Sequence, residues 1–282
     1  IGRIRGIPVA WDVFISLYDT IVEDRNMLRP NSLAARLLHS LERRALQRVD
    51  LAFMDTAAHA RRIEALFGLP PQSCGAVWGG AETEHFAHID APPFRSAKAP
   101  LEVLFYGQFI PLHGISTIVE AARLLRDAPV QWTLIGRGQE AERIRAMLME
   151  DPLPKVRWID WVNYDQLRDQ ILAADLCLGI FGESEKAASV IPNKVFQIVA
   201  AGRPLVTRDS PAIRELLRPS QGCVYLVPGG NPSRLADAVR THLETCDWRQ
   251  GHSCHCDVLD LIHKRAIGIQ FLDLIGRIEL GT

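Results

Sequence analysis

From residue 101 onward the chain alternates short apolar runs with longer amphipathic segments, and this alternation restricts the possible fold more than any other feature. Strand patterns fall at 101–106, 130–135, 156–159, 176–181, 204–207 and 223–227. Helical patterns separate them at 114–126, 139–149, 164–173, 193–200 and 211–217. Near-continuous apolar strands joined through helices form a parallel sheet covered on both faces, which defines an α/β fold. Such sheets bind ligands at the carboxyl ends of their strands. The candidate binding loops are therefore 107–114, 136–139, 160–164, 182–192 and 207–211.

The block VIPNKVFQIVAAGRPLVT, residues 190–207, sits at the centre of this pattern. Pro192 stands at a helix start, Gly202 just past its end, and Pro204 opens the next strand. Lys194 lies in the first helical turn, where a cation opposes the helix dipole. Exposed amides at a helix N-terminus attract anions, so a negative ligand in front of this helix would account for the lysine.

Upstream, a strand at 7–11 leads into a polar, aromatic loop at 12–25. Ser32 is placed to cap a helix running to about residue 48, with Leu33, Leu37, Leu38 and Leu41 on one face and Arg36, Arg43, Arg44 and Arg48 elsewhere. This leucine stripe is expected to pack inside the domain; the alternative is a basic amphipathic helix resting on an anionic membrane surface. A strand at 51–54, a helix at 56–67 and a strand at 74–78 running into Gly79-Gly80 complete the region. Three strands are about half of a doubly wound domain, so the first domain is expected to be incomplete. Residues 88–100, with three prolines and no periodicity, read as the interdomain linker. The tail reads as helices at 232–246 and 261–278. The expected domains are 1–95, 96–262 and a C-terminal helix at 263–282 packing back toward the first.

The chain has 282 residues, 48% of them hydrophobic, and a formal net charge of −1. This near-neutral balance lacks the basic stripe that nucleic-acid binding requires. No run of about 20 apolar residues is present to span a membrane. Cys177 and Cys223 lie in apolar runs and read as small core residues of a reduced, cytosolic protein. Cys246, Cys254 and Cys256, with His252 and His255 beside them, match no paired zinc-ligand spacing, so no metal is expected.

The ordered segments YGQFIPLHGISTIVEAARLL, WTLIGRGQE and IPNKVFQIVAAGRPLVT resemble the C-terminal domain of family 4 glycosyltransferases of the GT-B fold. The upstream segments DVFISLYDT, DLAFMDTAAHA and GGAETEHF resemble the second half of that family's N-terminal domain. The match spans about residues 7–245. It implies two Rossmann-like domains facing each other across a cleft, the first lacking its opening strands through truncation. It further implies a retaining glycosyltransferase that moves a sugar from a nucleotide diphosphate to a glycan or lipid-linked acceptor. No metal or other cofactor is implied. A cytoplasmic protein, peripheral to the inner face of the cell membrane, fits this role. The alternatives are a sugar-nucleotide-binding or scaffold protein of the same fold without turnover, and a GT-B epimerase. A chain so truncated is expected to bind a nucleoside diphosphate yet turn over poorly.

The resemblance also assigns residues. Gly107, Gln108, His113, Gly136, Arg137, Val162, Ser189, Pro192, Asn193 and Gln197 are the donor-binding candidates; Asp12 and Lys194 are the catalytic ones. The family's diphosphate-gripping Arg and Lys are here Gln108 and His113, and its paired glutamates are Ser189 and Gln197. A titratable His113 then implies diphosphate affinity that strengthens as pH falls. Gln197 keeps a donor and an acceptor for ribose hydroxyls, and Ser189 offers a hydroxyl to the sugar. Lys194 matches the lysine that related P-x-K blocks place on the phosphates. Asp12 stands where the family carries a catalytic-site histidine and is suited to orient an acceptor hydroxyl. Glu183 and Glu185 lie in the donor-side loop.

Overall fold

The computed structural model describes residues 6–86, 99–245 and 254–279. Two parallel sheets organise it. The smaller has three strands in sequence order, β1 (Ala10–Asp12), β2 (Leu51–Met54) and β3 (Cys74–Ala76). Helices α1 (Leu33–Leu46), α2 (Ala57–Phe67) and α3 (Thr83–Phe86) accompany it. Val22, Ala35, Met54, Ile63 and Phe67 form its core.

The larger sheet comprises β4 (Leu101–Tyr106), β5 (Val130–Ile135), β6 (Val156–Ile159), β7 (Leu176–Leu178), β8 (Leu205–Arg208) and β9 (Val224–Val227). Its order is β6-β5-β4-β7-β8-β9, parallel throughout. The alternation along β4 shows how both faces are buried. Val103 and Phe105 join the core beneath α4 (Ile115–Leu124), whereas Leu104 and Tyr106 face the opposite core. Helices α5 (Ala141–Glu150), α6 (Tyr164–Ala173), α7 (Glu185–Ser189), α8 (Asn193–Ala200), α9 (Ile213–Leu216) and α10 (Pro232–Thr245) complete this unit. Strand order reverses between β4 and β7, so the crevice at their carboxyl ends is the topological switch point.

The tail ties the units together. A disulfide joins Cys254 to Cys223, and the Cys254 amide donates to the Gly202 carbonyl. The tail helix expected over 261–278 is instead two helices, α11 (Leu259–Ile262) and α12 (Lys264–Glu279). His263 breaks them: its backbone is extended, and its Nδ1 accepts the Ala266 amide at 3.0 Å as an N-cap would. Helix α12 lies against the small sheet, with the Phe271 ring tilted against that of Phe53 at 5.6 Å between centroids and Gln270 accepting the Trp78 amide.

Several expectations are corrected. Cys223 is not a simple core thiol, because it enters β9 at the sheet edge, where the tail crosses and supplies Cys254. The strand expected over 176–181 stops at Leu178. Beyond it, the Ile180 amide donates to the Thr207 hydroxyl oxygen, and the Phe181 and Gly182 amides donate to the carbonyls of His113 and Leu112. In place of a loop throughout 12–25, a π-type helical turn spans Asp19–Asp24. Glu42 steadies its approach by accepting the Leu17 and Tyr18 amides and the Ser16 hydroxyl. Of the leucine stripe of α1, Leu38 packs on the core as expected, whereas Leu33, Leu37 and Leu41 face outward, exposed by 83%, 61% and 54%. The buried residues of α1 are Ala35, Glu42 and Leu46, because anchoring Glu42 to the 16–18 turn rotates those outward leucines away. The expected linker, apart from its last two residues, and the tail residues Cys246 and His252 lie outside the described residues. Among the described residues no helix is long and apolar enough to cross a membrane.

Candidate functional site

Helix α8 opens at Pro192, whose extended backbone serves as N-cap without a side-chain hydrogen bond. Lys194 follows in the first turn but is only 5% exposed. Its Nζ lies 3.8 Å from the centre of the Phe105 ring and has no hydrogen-bond partner among the described residues. Burial holds this amine well below its ordinary titration range. Above it lies Gly107, at φ +136°; a Cβ there would sit 2.9 Å from Lys194 Nζ. The lysine therefore ends against Gly107, in space that any side chain at that position would occupy.

Two strand-to-helix loops close around that contact. Gly136, at φ +155°, would place a Cβ 1.9 Å from the Gly107 carbonyl oxygen, so the two loops touch backbone to backbone. Phe109 donates to the Arg137 carbonyl at 2.9 Å, and Glu140 donates to the Phe109 carbonyl at 2.8 Å. Gln108 and Arg137 are exposed on these loops. Val162, in the next loop out, is half-buried and packs on the core beneath α8.

His113 differs from the expected titratable phosphate ligand. It is buried, and its Nδ1 bonds to the Gln108 carbonyl. Burial, reinforced by the nearby Lys194, drives its pKa well below the usual histidine value. The ring is neutral near pH 7 and holds the 107–114 loop in shape.

Gln197 also has prior engagements, since its Oε1 accepts from the Tyr106 hydroxyl at 3.0 Å. The Ser189 hydroxyl turns back to the Glu185 carbonyl at 2.7 Å rather than facing the crevice. Asn193 is exposed and its Oδ1 faces the Cα of Gly79 in the smaller unit. Asp12 is exposed, and its Oδ1 accepts the Phe14 amide at 3.1 Å. It opens into a cavity of about 880 Å³ at the carboxyl ends of β1–β3, walled by Phe53, Asp55, Trp78 and Phe271. Asp12 therefore lines a cavity that Lys194 does not, with the Gly79–Asn193 contact between the units close to both.

Sequence reasoning missed the buried charged network joining the two units. The two oxygens of Asp19 meet Arg62 at 2.6 Å and Lys186 at 3.6 Å, and His59 Nδ1 bonds Asp55 at 2.6 Å. Nearby, Glu215 accepts the first two amides of α2, those of Ala57 and Ala58, at 3.0 and 2.8 Å. These partners lie far apart along the chain and share no local spacing; the concentration of acids in the otherwise aromatic 12–25 segment was the one available signal.

Comparison with known proteins identifies the family to which this architecture belongs. The sequence profile described as Glycosyl transferases group 1 matches residues 100–245, just over half of the chain. The chain belongs to this family. Two curated group 1 relatives illustrate it. WcaI of Escherichia coli, named for glycosyl transfer in colanic acid biosynthesis, is 23% identical over 176 residues, covering 60% of this chain and 42% of its own length. TuaH of Bacillus subtilis, named for glycosyl transfer in teichuronic acid biosynthesis, is 24% identical over 188 residues, covering 65% and 46%. The chain thus spans less than half the length of the curated relatives it matches. Among solved structures, sucrose-phosphate synthase from Thermosynechococcus elongatus superposes at TM-score 0.76, with 17% identity, over 99% of this chain and 71% of its own. HepE of Anabaena, solved in complex with UDP, superposes at 0.72 with 13% identity, over 98% and 74%. The group 1 chain therefore carries an α/β architecture of the GT-B type.

Proposed function

We propose that this chain is the nucleotide-sugar-handling part of a retaining glycosyltransferase, with its donor at the crevice between β4 and β7. The observation that carries this proposal is the Lys194 amine, buried without a hydrogen-bond partner against Gly107 at the switch point. A diphosphate seated there would restore the charge that burial opposes. In the reaction the bond from the anomeric carbon to the phosphate oxygen breaks, and a bond to the acceptor oxygen forms on the same face. The acceptor proton passes to the departing diphosphate. Negative charge grows on that group as it leaves, so Lys194 and the first amides of α8 act where stabilisation matters most. The family membership, the complexes of HepE with UDP and the names of WcaI and TuaH support a nucleotide-sugar donor and a glycan or lipid-linked acceptor. Asp12, lining the cavity at the carboxyl ends of β1–β3, is placed to orient the acceptor hydroxyl.

A second reading, nucleotide-sugar binding without turnover, is favoured by Ser189 and Gln197, which stand where carboxylates were expected and are bonded inward. Calorimetric titration with a panel of nucleoside diphosphates, followed by transfer assays with the matching sugar donors, separates the two. Binding with transfer supports the enzyme; binding without transfer supports the second reading. Absence of binding by every nucleoside diphosphate would sink both.

The exposed leucines of α1, with Arg36, Arg43 and Arg44 on the same helix, support a further element of the proposal: peripheral contact with an anionic membrane surface that carries the acceptor.

A further inference from the structure

A diphosphate carries more negative charge than one lysine balances. The two positions where cations were expected hold Gln108 and a buried, neutral His113, so the site needs positive charge from elsewhere. Arg137 is exposed on the 136–139 loop, and Arg25 is the cation that the smaller unit brings to these loops. Arg25 closes the π-type turn of the smaller unit, its amide donating to the Thr20 carbonyl at 2.9 Å. Its carbonyl accepts the Gln139 side-chain amide at 3.2 Å, which fixes it beside the loop that follows β5. The preceding residue, Asp24, accepts from the Ser184 hydroxyl at 2.8 Å, which pins the same turn to the loop that follows β7. The Arg25 guanidinium Nε is buried and has no hydrogen-bond partner among the described residues. Its charge adds to the lowering of the His113 pKa, and the His113 ring lies against Gly107.

We propose that Arg25, supplied across the interface by the smaller unit, is the second diphosphate-binding cation of the Lys194 crevice. It has this role only if that crevice is the donor site. A guanidinium suits the task, because its fork can bond two phosphate oxygens at once and it stays charged when partly buried. The consequence is structural as well as electrostatic. A diphosphate held by Lys194 from one unit and Arg25 from the other would tie the two units together each time the donor binds.

Inorganic pyrophosphate is a suitable probe, since it isolates the diphosphate from any base or sugar preference. By calorimetry on the whole chain, R25Q should weaken pyrophosphate binding at least ten-fold, and Arg25→Lys should recover part of the loss. In the unmutated protein, pyrophosphate should protect Arg25 from dicarbonyl modification read by mass spectrometry, a measurement that does not depend on any variant folding. If R25Q binds like the parent while K194M does not, or if pyrophosphate leaves Arg25 labelling unchanged, the Arg25 proposal falls and the donor site stands. If K194M also binds like the parent, or if the parent binds no pyrophosphate, both fall.

Discussion

At the scale of single residues, the decisive property is burial of groups that carry charge elsewhere. Replacing Lys194 by Ala should weaken nucleoside diphosphate binding by about 1.5–3 kcal/mol, the range for a hydrogen bond to a charged group. Burial holds the free amine well below its ordinary pKa, and an anion favours its protonated form, so binding should take up a proton. Affinity should then fall as pH rises through the lowered pKa of Lys194, and Lys194→Ala should lose that dependence. Calorimetry in buffers of different ionisation enthalpy reads both, and equal affinity in parent and mutant would remove Lys194 from the site. His113 gives a stability prediction. Its folded pKa lies well below 6.5, so as pH falls past about 6.5 the unfolded chain takes up a proton that the folded chain refuses. Stability should therefore decline on the acid side, and His113→Gln should flatten that decline in melts between pH 7 and 5. An unchanged acid limb would mean that the ring is solvated. Lys194 was legible from its place after Pro192, but the neutrality of His113 was not, because ring depth is a property of packing.

At the scale of elements, the strand-to-helix loops depend on backbone contact that a single methyl group would prevent. Gly136→Ala would set a Cβ 1.9 Å from the Gly107 oxygen and hold an alanine at φ +155°. The backbone strain alone costs about 1–3 kcal/mol, and moving the Gly107 loop away from Lys194 should weaken diphosphate binding as well. Chemical denaturation with a parallel titration tests this; a variant as stable and as avid as the parent would show that the two loops do not depend on each other. The glycines after β4 and β5 were readable as turn formers, since the strand-to-helix pattern demands a tight reversal there. Their mutual contact was not readable, because it depends on β4 and β5 being adjacent in register, Tyr106 beside Ile135.

At the scale of the whole molecule, the two units meet through charge and hydrogen bonds as well as apolar packing of Ala58 and Phe86 on the core beneath α8, and they leave an apolar helix face outward. Asp19 and Lys186 bridge the units from buried positions, with half-buried Arg62 also on Asp19, and such groups depend on one another, since removing one leaves its partner charged and dry. The outward face of α1 yields the corresponding surface prediction. The chain should float with vesicles containing anionic lipid and not with neutral ones, and Leu37→Glu with Leu41→Glu should abolish the association. Flotation indifferent to lipid charge, or retained in the double variant, would end the membrane proposal. A screened electrostatic contribution also requires binding to weaken at high salt.

The β/α alternation, the parallel six-stranded sheet, the span of α8 from Asn193 to Ala200 and the location of the binding loops were determined by the sequence itself. Each rests on short-range physics: side-chain periodicity, the fixed φ of proline and the freedom of glycine act within a few residues of one another. Only the tertiary structure decided that Lys194 is buried without a hydrogen-bond partner, that His113 is neutral, that Cys223 meets Cys254 and that Leu33, Leu37 and Leu41 of α1 face out. It likewise brought Arg25 to Gln139, 114 residues further along the chain. These outcomes depend on which distant segments close over a side chain, and desolvation and ion pairing act through space, where local spacing carries no signal.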